Sequence, residues 1–258
     1  MLLVISPAKT LDFETEAPIQ SSSHPEFLED SSYLVSKLKK FSSKKLQKLF
    51  SVNPDIAGLN VQRFNEWHTP FHAGNSKQAM YAFTGEVYRG LKPELFGEPD
   101  LEYAQTHLRI LSGLYGILKP LDLIQAYRLE MGTSWAVTAT KRNLYSYWSD
   151  RLRKNLEADA DDDVLINLAS IEYFKALQPS KLKLKVYNIH FRDLKNGEYK
   201  SLMTYAKRAR GKMARYIIRH HLTEVDQLKW FDLWGYVYNA KLSTTYDLVF
   251  TRDQIPTE

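Results

Sequence analysis

The chain contains no cysteine. That absence removes disulfides, thiolate metal sites, iron–sulfur clusters and any thiol-based peroxidase or redox relay. No apolar run approaches the roughly 18 residues of a membrane span, and the opening Met1-Leu-Leu-Val-Ile5 lacks the basic segment and cleavage site of a secretory signal. A soluble, cytoplasmic protein with no membrane partner is expected. Histidines at ligand spacing beside carboxylates are also missing. His68 and His72 are four apart, but Pro70 between them breaks the helix such a pair requires. No metal site and no cofactor are expected.

Carboxylates are absent from two long stretches. Between Ser31 and Pro54 there are six lysines and no acid, and between Lys200 and Glu224 a dense cationic run again has no acid. From Lys181 to His221, twelve Lys and Arg stand against two acids, a local surplus larger than the +5 of the whole chain. Tyr205 to Arg219 reads as one amphipathic helix. Leu202, Ala206, Ala209, Met213 and Ile217 form an apolar stripe, Arg208, Lys212, Arg215 and Arg219 form a cationic row, and Lys207 and Arg210 lie nearer the apolar side. With no acid four residues away to relieve the row, an external anion is the expected partner.

The 258 residues, 44% hydrophobic, suit one large domain spanning 1–258. Leu2 to Ile5 and Val164 to Leu168 read as buried strands, Asn196-Gly197 as a hairpin turn, and Asp100 to Ser112 as a helix. Ser31 to Phe50 is helical with a break at Ser42-Ser43, and Tyr145 to Leu156 is a further helix. Buried and hairpin strands among several helices indicate an α+β fold, a mixed sheet with surrounding helices. Leu111-Ser-Gly113-Leu-Tyr-Gly116 places two glycines in a tight connection. It reads either as a structural turn between packed helices or as a helix-hairpin-helix-like element whose backbone N–H groups meet a DNA phosphate.

Ile5-Ser-Pro-Ala-Lys-Thr-Leu-Asp12, Phe83-Thr-Gly-Glu-Val-Tyr-Arg-Gly-Leu91, Leu111-Ser-Gly-Leu-Tyr-Gly-Ile-Leu-Lys-Pro-Leu-Asp122, Tyr127-Arg-Leu-Glu-Met-Gly-Thr133, Asn167-Leu-Ala-Ser170, Glu172-Tyr-Phe-Lys175 and the basic helix occur in this order. Taken together, they resemble the peroxide-stress protein YaaA family from Leu3 to about Phe250. The resemblance implies a cytosolic protein that responds to hydrogen peroxide, limits damage by lowering free intracellular iron, and binds double-stranded DNA in a basic cleft. Carried over by position, the DNA contacts fall on Gly113, Gly116, Lys207, Arg208, Arg210, Lys212 and Arg215, and the cationic row adds Arg219. The contacts expected are to phosphates, with little base specificity. The alternative is an enzyme on a small anionic, phosphate- or carboxylate-bearing substrate, with Ser6, Lys9, Arg128, Lys207 and Arg210 around a basic pocket. Ser6 and Lys9 follow a strand end, where ligand-contacting loops concentrate.

Overall fold

The computed structural model describes residues 1–254. Eight strands form the central sheet: β1 (Leu2–Ile5), β2 (Leu108–Ser112), β3 (Gly116–Leu118), β4 (Val164–Leu168), β5 (Lys185–Lys195), β6 (Glu198–Lys200), β7 (Val237–Tyr238) and β8 (Asp247–Arg252). Their order is β7-β8-β5-β4-β1-β2-β3, with β6 paired to the far end of β5. The central strands β8, β5, β4, β1 and β2 run parallel, and β3, β6 and β7 add antiparallel pairs. This is the mixed sheet with surrounding helices that the sequence predicts. The continuous apolar character of β1, buried at every position, follows from helices covering a parallel sheet on both faces. One hydrophobic cluster connects Met1 to Phe250.

The helices that position the candidate site are α1 (Leu28–Leu38), α2 (Ser43–Phe50), α3 (Pro54–Glu66), α4 (Glu86–Leu91), α5 (Glu98–His107), α6 (Arg151–Ala158) and α7 (Met203–Arg219). Ser42 caps α2, its hydroxyl accepting from Lys45 N, so the expected break at Ser42-Ser43 is present. Asn196 and Gly197 both take positive φ, at 54° and 79°, and close the β5–β6 hairpin. Helix α7 packs on α4 and against β5. Among the described residues no helix is long and apolar enough to cross a membrane.

Three expectations differ from the structure. The helix expected over Asp100 to Ser112 ends at His107, and Leu108–Ser112 is strand β2, paired in register with Leu3, Val4 and Ile5. Its apolar positions fit either period, and the free edge of β1 decides between them. Gly113 to Gly116 consequently joins two antiparallel strands, not two helices. Every residue from Leu108 to Leu118 is buried, so Gly113 and Gly116 present no backbone to a surface partner. Packing explains both glycines. A Cβ on Gly113 would lie 2.2 Å from the Leu129 carbonyl oxygen, and one on Gly116, at φ +72°, would lie 2.7 Å from Leu152. The helix expected over Tyr145 to Leu156 is likewise two pieces, Leu144–Trp148 and α6, separated at Ser149 with φ 50°.

Candidate functional site

β1 has β2 on one side and β4 on the other, so the connections leaving β1 and β4 diverge. In open parallel sheets such a switch point leaves a crevice at the carboxyl ends of the strands, where ligands bind. Ser6-Pro-Ala-Lys9 leaves β1 there and Ala169-Ser-Ile-Glu172 leaves β4. Ser170 N donates to Ser6 Oγ at 2.9 Å and the two hydroxyls are 3.3 Å apart, which ties the loops together. Tyr88 donates to the Ser6 carbonyl at 3.3 Å, and its burial pushes the phenol well above its usual range.

Arg128 to Thr133 forms the third wall. Glu130 Oε1 lies 2.9 Å from Arg128 Nη2 and 3.3 Å from Lys9 Nζ. Gly132 N donates to Glu172 at 2.8 Å. The cavity here is ≈ 720 Å³, lined by Lys9, Glu130, Gly132, Thr133 and Glu172 and, from α2, by Lys45 and Lys48. The second lysine block of the sequence therefore faces the strand-end loop. Arg128 Nε is buried without an acceptor. Arg63 of α3 is depressed by burial and then by the like charge of Arg128. Of the charged residues that line the cavity, Lys9, Lys45 and Lys48 outnumber Glu130 and Glu172, and Arg128 is engaged by Glu130 at its edge.

A second, smaller cavity of ≈ 370 Å³ lies on the other side of Ala169–Glu172 and contains Arg210 together with Asn167, Lys175, Asn188 and His190. The five residues expected to share one pocket therefore separate. Lys9 and Arg128 meet through Glu130, Ser6 is the tie beside them, Arg210 is in the second cavity, and Lys207 is exposed and lines neither.

The cationic row of α7 has partners that its own sequence does not contain. Arg208 Nε lies 2.7 Å from Glu86 of α4, and Arg219 reaches the Leu95 carbonyl at 3.1 Å and Asp100 at 3.5 Å. Burial pulls the Glu86 carboxyl upward, but the hydrogen bond and charge of Arg208 outweigh it and hold Glu86 below its ordinary value. Lys212 stands over the Trp234 ring at 5.2 Å, depressed by burial and then by Arg215, Lys92 and Arg208. The external anion inferred from the helix alone is thus replaced at Arg208 and Arg219 by carboxylates from distant segments. Asn167, Asn188, His190 and Asp247 were not singled out as site residues from the sequence. The available signal was the polar Asn167 inside the apolar run Val164–Leu168.

A family model described as "Peroxide stress protein YaaA" matches residues 1–242. The chain belongs to that family. Two curated relatives, each named "UPF0246 protein", come from Colwellia psychrerythraea and Psychromonas ingrahamii. Each is 49% identical, over 258 and 259 residues, covering 98% and 99% of this chain and 100% of the relative. Family membership supports a role in the response to peroxide stress.

Proposed function

We infer that this peroxide-stress protein acts through a small anion, phosphate-bearing or carboxylate-bearing, held in the strand-end cleft between Lys9, Arg128 and the α2 lysines. The observation carrying this reading is the excess of cations around a ≈ 720 Å³ cavity at the switch point of the parallel sheet. Lys45, its ammonium 3.6 Å from the Phe41 ring centroid, and Lys48 supply charge from α2, while Glu130 holds Lys9 and Arg128 together on the opposite side. Lowering of free iron is then an indirect consequence of that ligand chemistry. Among the described residues no group of three or more His, Asp or Glu is arranged to hold a metal ion. Titration of inorganic phosphate and pyrophosphate by calorimetry tests the reading. Saturable binding is expected, weakened at least about tenfold in Lys9→Met/Lys48→Met. Binding that is absent, or unchanged in the double variant, refutes it.

Duplex DNA held through its phosphates is the second reading. It is favoured by the exposed cations outside the cleft, Lys207 and Lys44, and by Arg215, which feels the charge of Glu94 but makes no ion pair within 4 Å among the described residues. Neutralising six to eight phosphates requires log K to fall with log salt at a slope of about −5 to −7. A slope near zero removes this reading.

A further inference from the structure

The second cavity holds an arginine with nothing to neutralise it. Arg210 is half-buried on α7, and among the described residues it has no hydrogen-bonded, ionic or aromatic partner, although burial depresses its pKa. A guanidinium taken out of water without a carboxylate is costly, and this one borders a ≈ 370 Å³ space beside the end of β4, where β5 runs on past it. Lys175 also lines this cavity, its ammonium 5.0 Å from the Tyr145 ring centroid.

The rest of the wall is apolar on one side and ordered polar on the other. Ile171, 89% exposed, Phe174 and Ile189 supply the apolar part. The polar part is a chain across three parallel strands. Asn167 Nδ2 donates to Asn188 at 2.9 Å, Asn188 Nδ2 donates to Asp247 at 3.3 Å, and His190 Nε2 is 2.9 Å from the same Asp247 oxygen. Because that oxygen belongs to a carboxylate, held below its usual range first by His190, the imidazole carries its proton on Nε2. Nδ1 has no partner among the described residues and in the neutral ring is an acceptor.

We propose that this cavity binds a small organic carboxylate: Arg210 forks onto the carboxylate, the apolar wall covers the body, and His190 Nδ1 accepts from a hydroxyl or amine beside the carboxylate. The site is separate from the Lys9 cleft. Along Ala169–Glu172, Ala169 and Ile171 line this cavity, Ser170 bonds to Ser6, and Glu172 lines the cleft. A single planar fork with an apolar wall suits a carboxylate with a carbon skeleton better than inorganic phosphate.

Two probes differing by one hydroxyl, mandelate and phenylacetate, test the proposal on the full chain by NMR of the Arg Nε–Hε and Asn side-chain amide signals. Saturable shifts at Arg210, Asn167 and Asn188 are expected with both, with mandelate several-fold tighter. Arg210→Met should weaken both at least about tenfold, and His190→Phe should erase the mandelate advantage. Lys9→Met should change neither, which keeps failure of this site distinguishable from failure of the cleft reading. Lys175→Met, at an exposed position, gives an independent weakening should Arg210→Met fail to fold. The proposal is overturned if no saturable shift occurs with either probe, if binding persists at wild-type strength in Arg210→Met, or if inorganic phosphate produces the same shifts. Equal affinity for mandelate and phenylacetate in the wild type overturns the role given to His190.

Discussion

Glycine-to-alanine substitution should have opposite signs in two helices of this protein. Helices α4 and α7 meet at their backbones. A Cβ on Gly211 would lie 1.8 Å from the Val87 carbonyl oxygen and 2.8 Å from Leu91 N, and one on Gly90 would lie 2.1 Å from the Arg208 carbonyl oxygen. Since ordinary C···O contact begins near 3.3 Å, Gly211→Ala forces the helices apart by about 1.5 Å. Neither neighbour can rotate away, because both are helix backbone. Overpacking of this kind costs about 1–3 kcal/mol or more, against about 1 kcal/mol gained from alanine's helix propensity. Adding the packing lost along a separated interface gives a net loss of about 2 kcal/mol, a fall of roughly 1 M in the urea midpoint at constant slope. Gly58 is the control. It is helical and exposed, with nothing within 4 Å of its Cβ, so Gly58→Ala should gain about 0.5–1 kcal/mol. Urea denaturation of the two single variants measures both. Stabilisation by Gly211→Ala equal to that by Gly58→Ala would refute backbone contact between α4 and α7.

Asp193→Ala should cost about 3–5 kcal/mol, because it strands Arg252, 1% exposed at its side chain and 2.5 Å from Asp193, inside a ring of Trp234 and Tyr236; Asp193→Leu/Arg252→Met should recover much of the loss in the same urea assay. Asp122 is buried, and burial raises its carboxyl to about 6 against the hydrogen bonds from Ser23 and Lys119. Its folded pKa exceeds its unfolded one, so its contribution to stability falls as pH rises from about 4 to about 6, by on the order of 3 kcal/mol; a ¹³C carboxyl titration midpoint near 4 would refute this. Arg208→Gln should lose about 1–2 kcal/mol with its charge-assisted bond to Glu86, whereas Arg215→Gln should stay within about 0.5 kcal/mol of wild type in thermal melts corrected to one temperature.

What could be read from the sequence was what the chain decides locally. Leu2–Ile5 and Val164–Leu168 announce themselves as uninterrupted apolar runs, Asn196-Gly197 as the two positive-φ residues of a hairpin, and Met203–Arg219 by its period. What failed was decided by distant partners. Leu108–Ser112 fits the helix and the strand period alike and becomes a strand because β1 offers an edge. The cationic row looked unpaired because Glu86 and Asp100 enter from α4 and α5. Gly90 and Gly211 are unremarkable in sequence and gain their meaning only from each other. For the candidate site, strand-end reasoning placed Ser6 and Lys9 on the loop leaving β1, where they sit, and helix geometry set Lys207 and Arg210 apart from the cationic row, of which Arg210 alone borders one of the two cavities. Neither could reveal that Lys45 and Lys48 face Lys9, or that His190 and Asp247 share Arg210's neighbourhood.

The cations of this chain differ in how far neighbouring carboxylates neutralise them. Arg208 and Arg219 join α7 to α4 and α5, and Arg252 is consumed by Asp193, so these cations hold helices and strands in place. Arg128 pairs with Glu130 yet keeps a buried Nε that no acceptor among the described residues meets, Arg63 is crowded by Arg128, and Arg210 has no partner among the described residues. A folded chain tolerates unneutralised guanidinium groups near its interior only at a cost in stability, and such cost concentrates where a ligand repays it. Arg210 borders the smaller cavity and Arg128, through Glu130, meets Lys9 of the larger one, whereas Arg208 and Arg219 are spent on α4 and α5. The anion chemistry proposed for the strand-end loops therefore rests on Arg210 and the Lys9 cluster rather than on the paired cations of the basic helix.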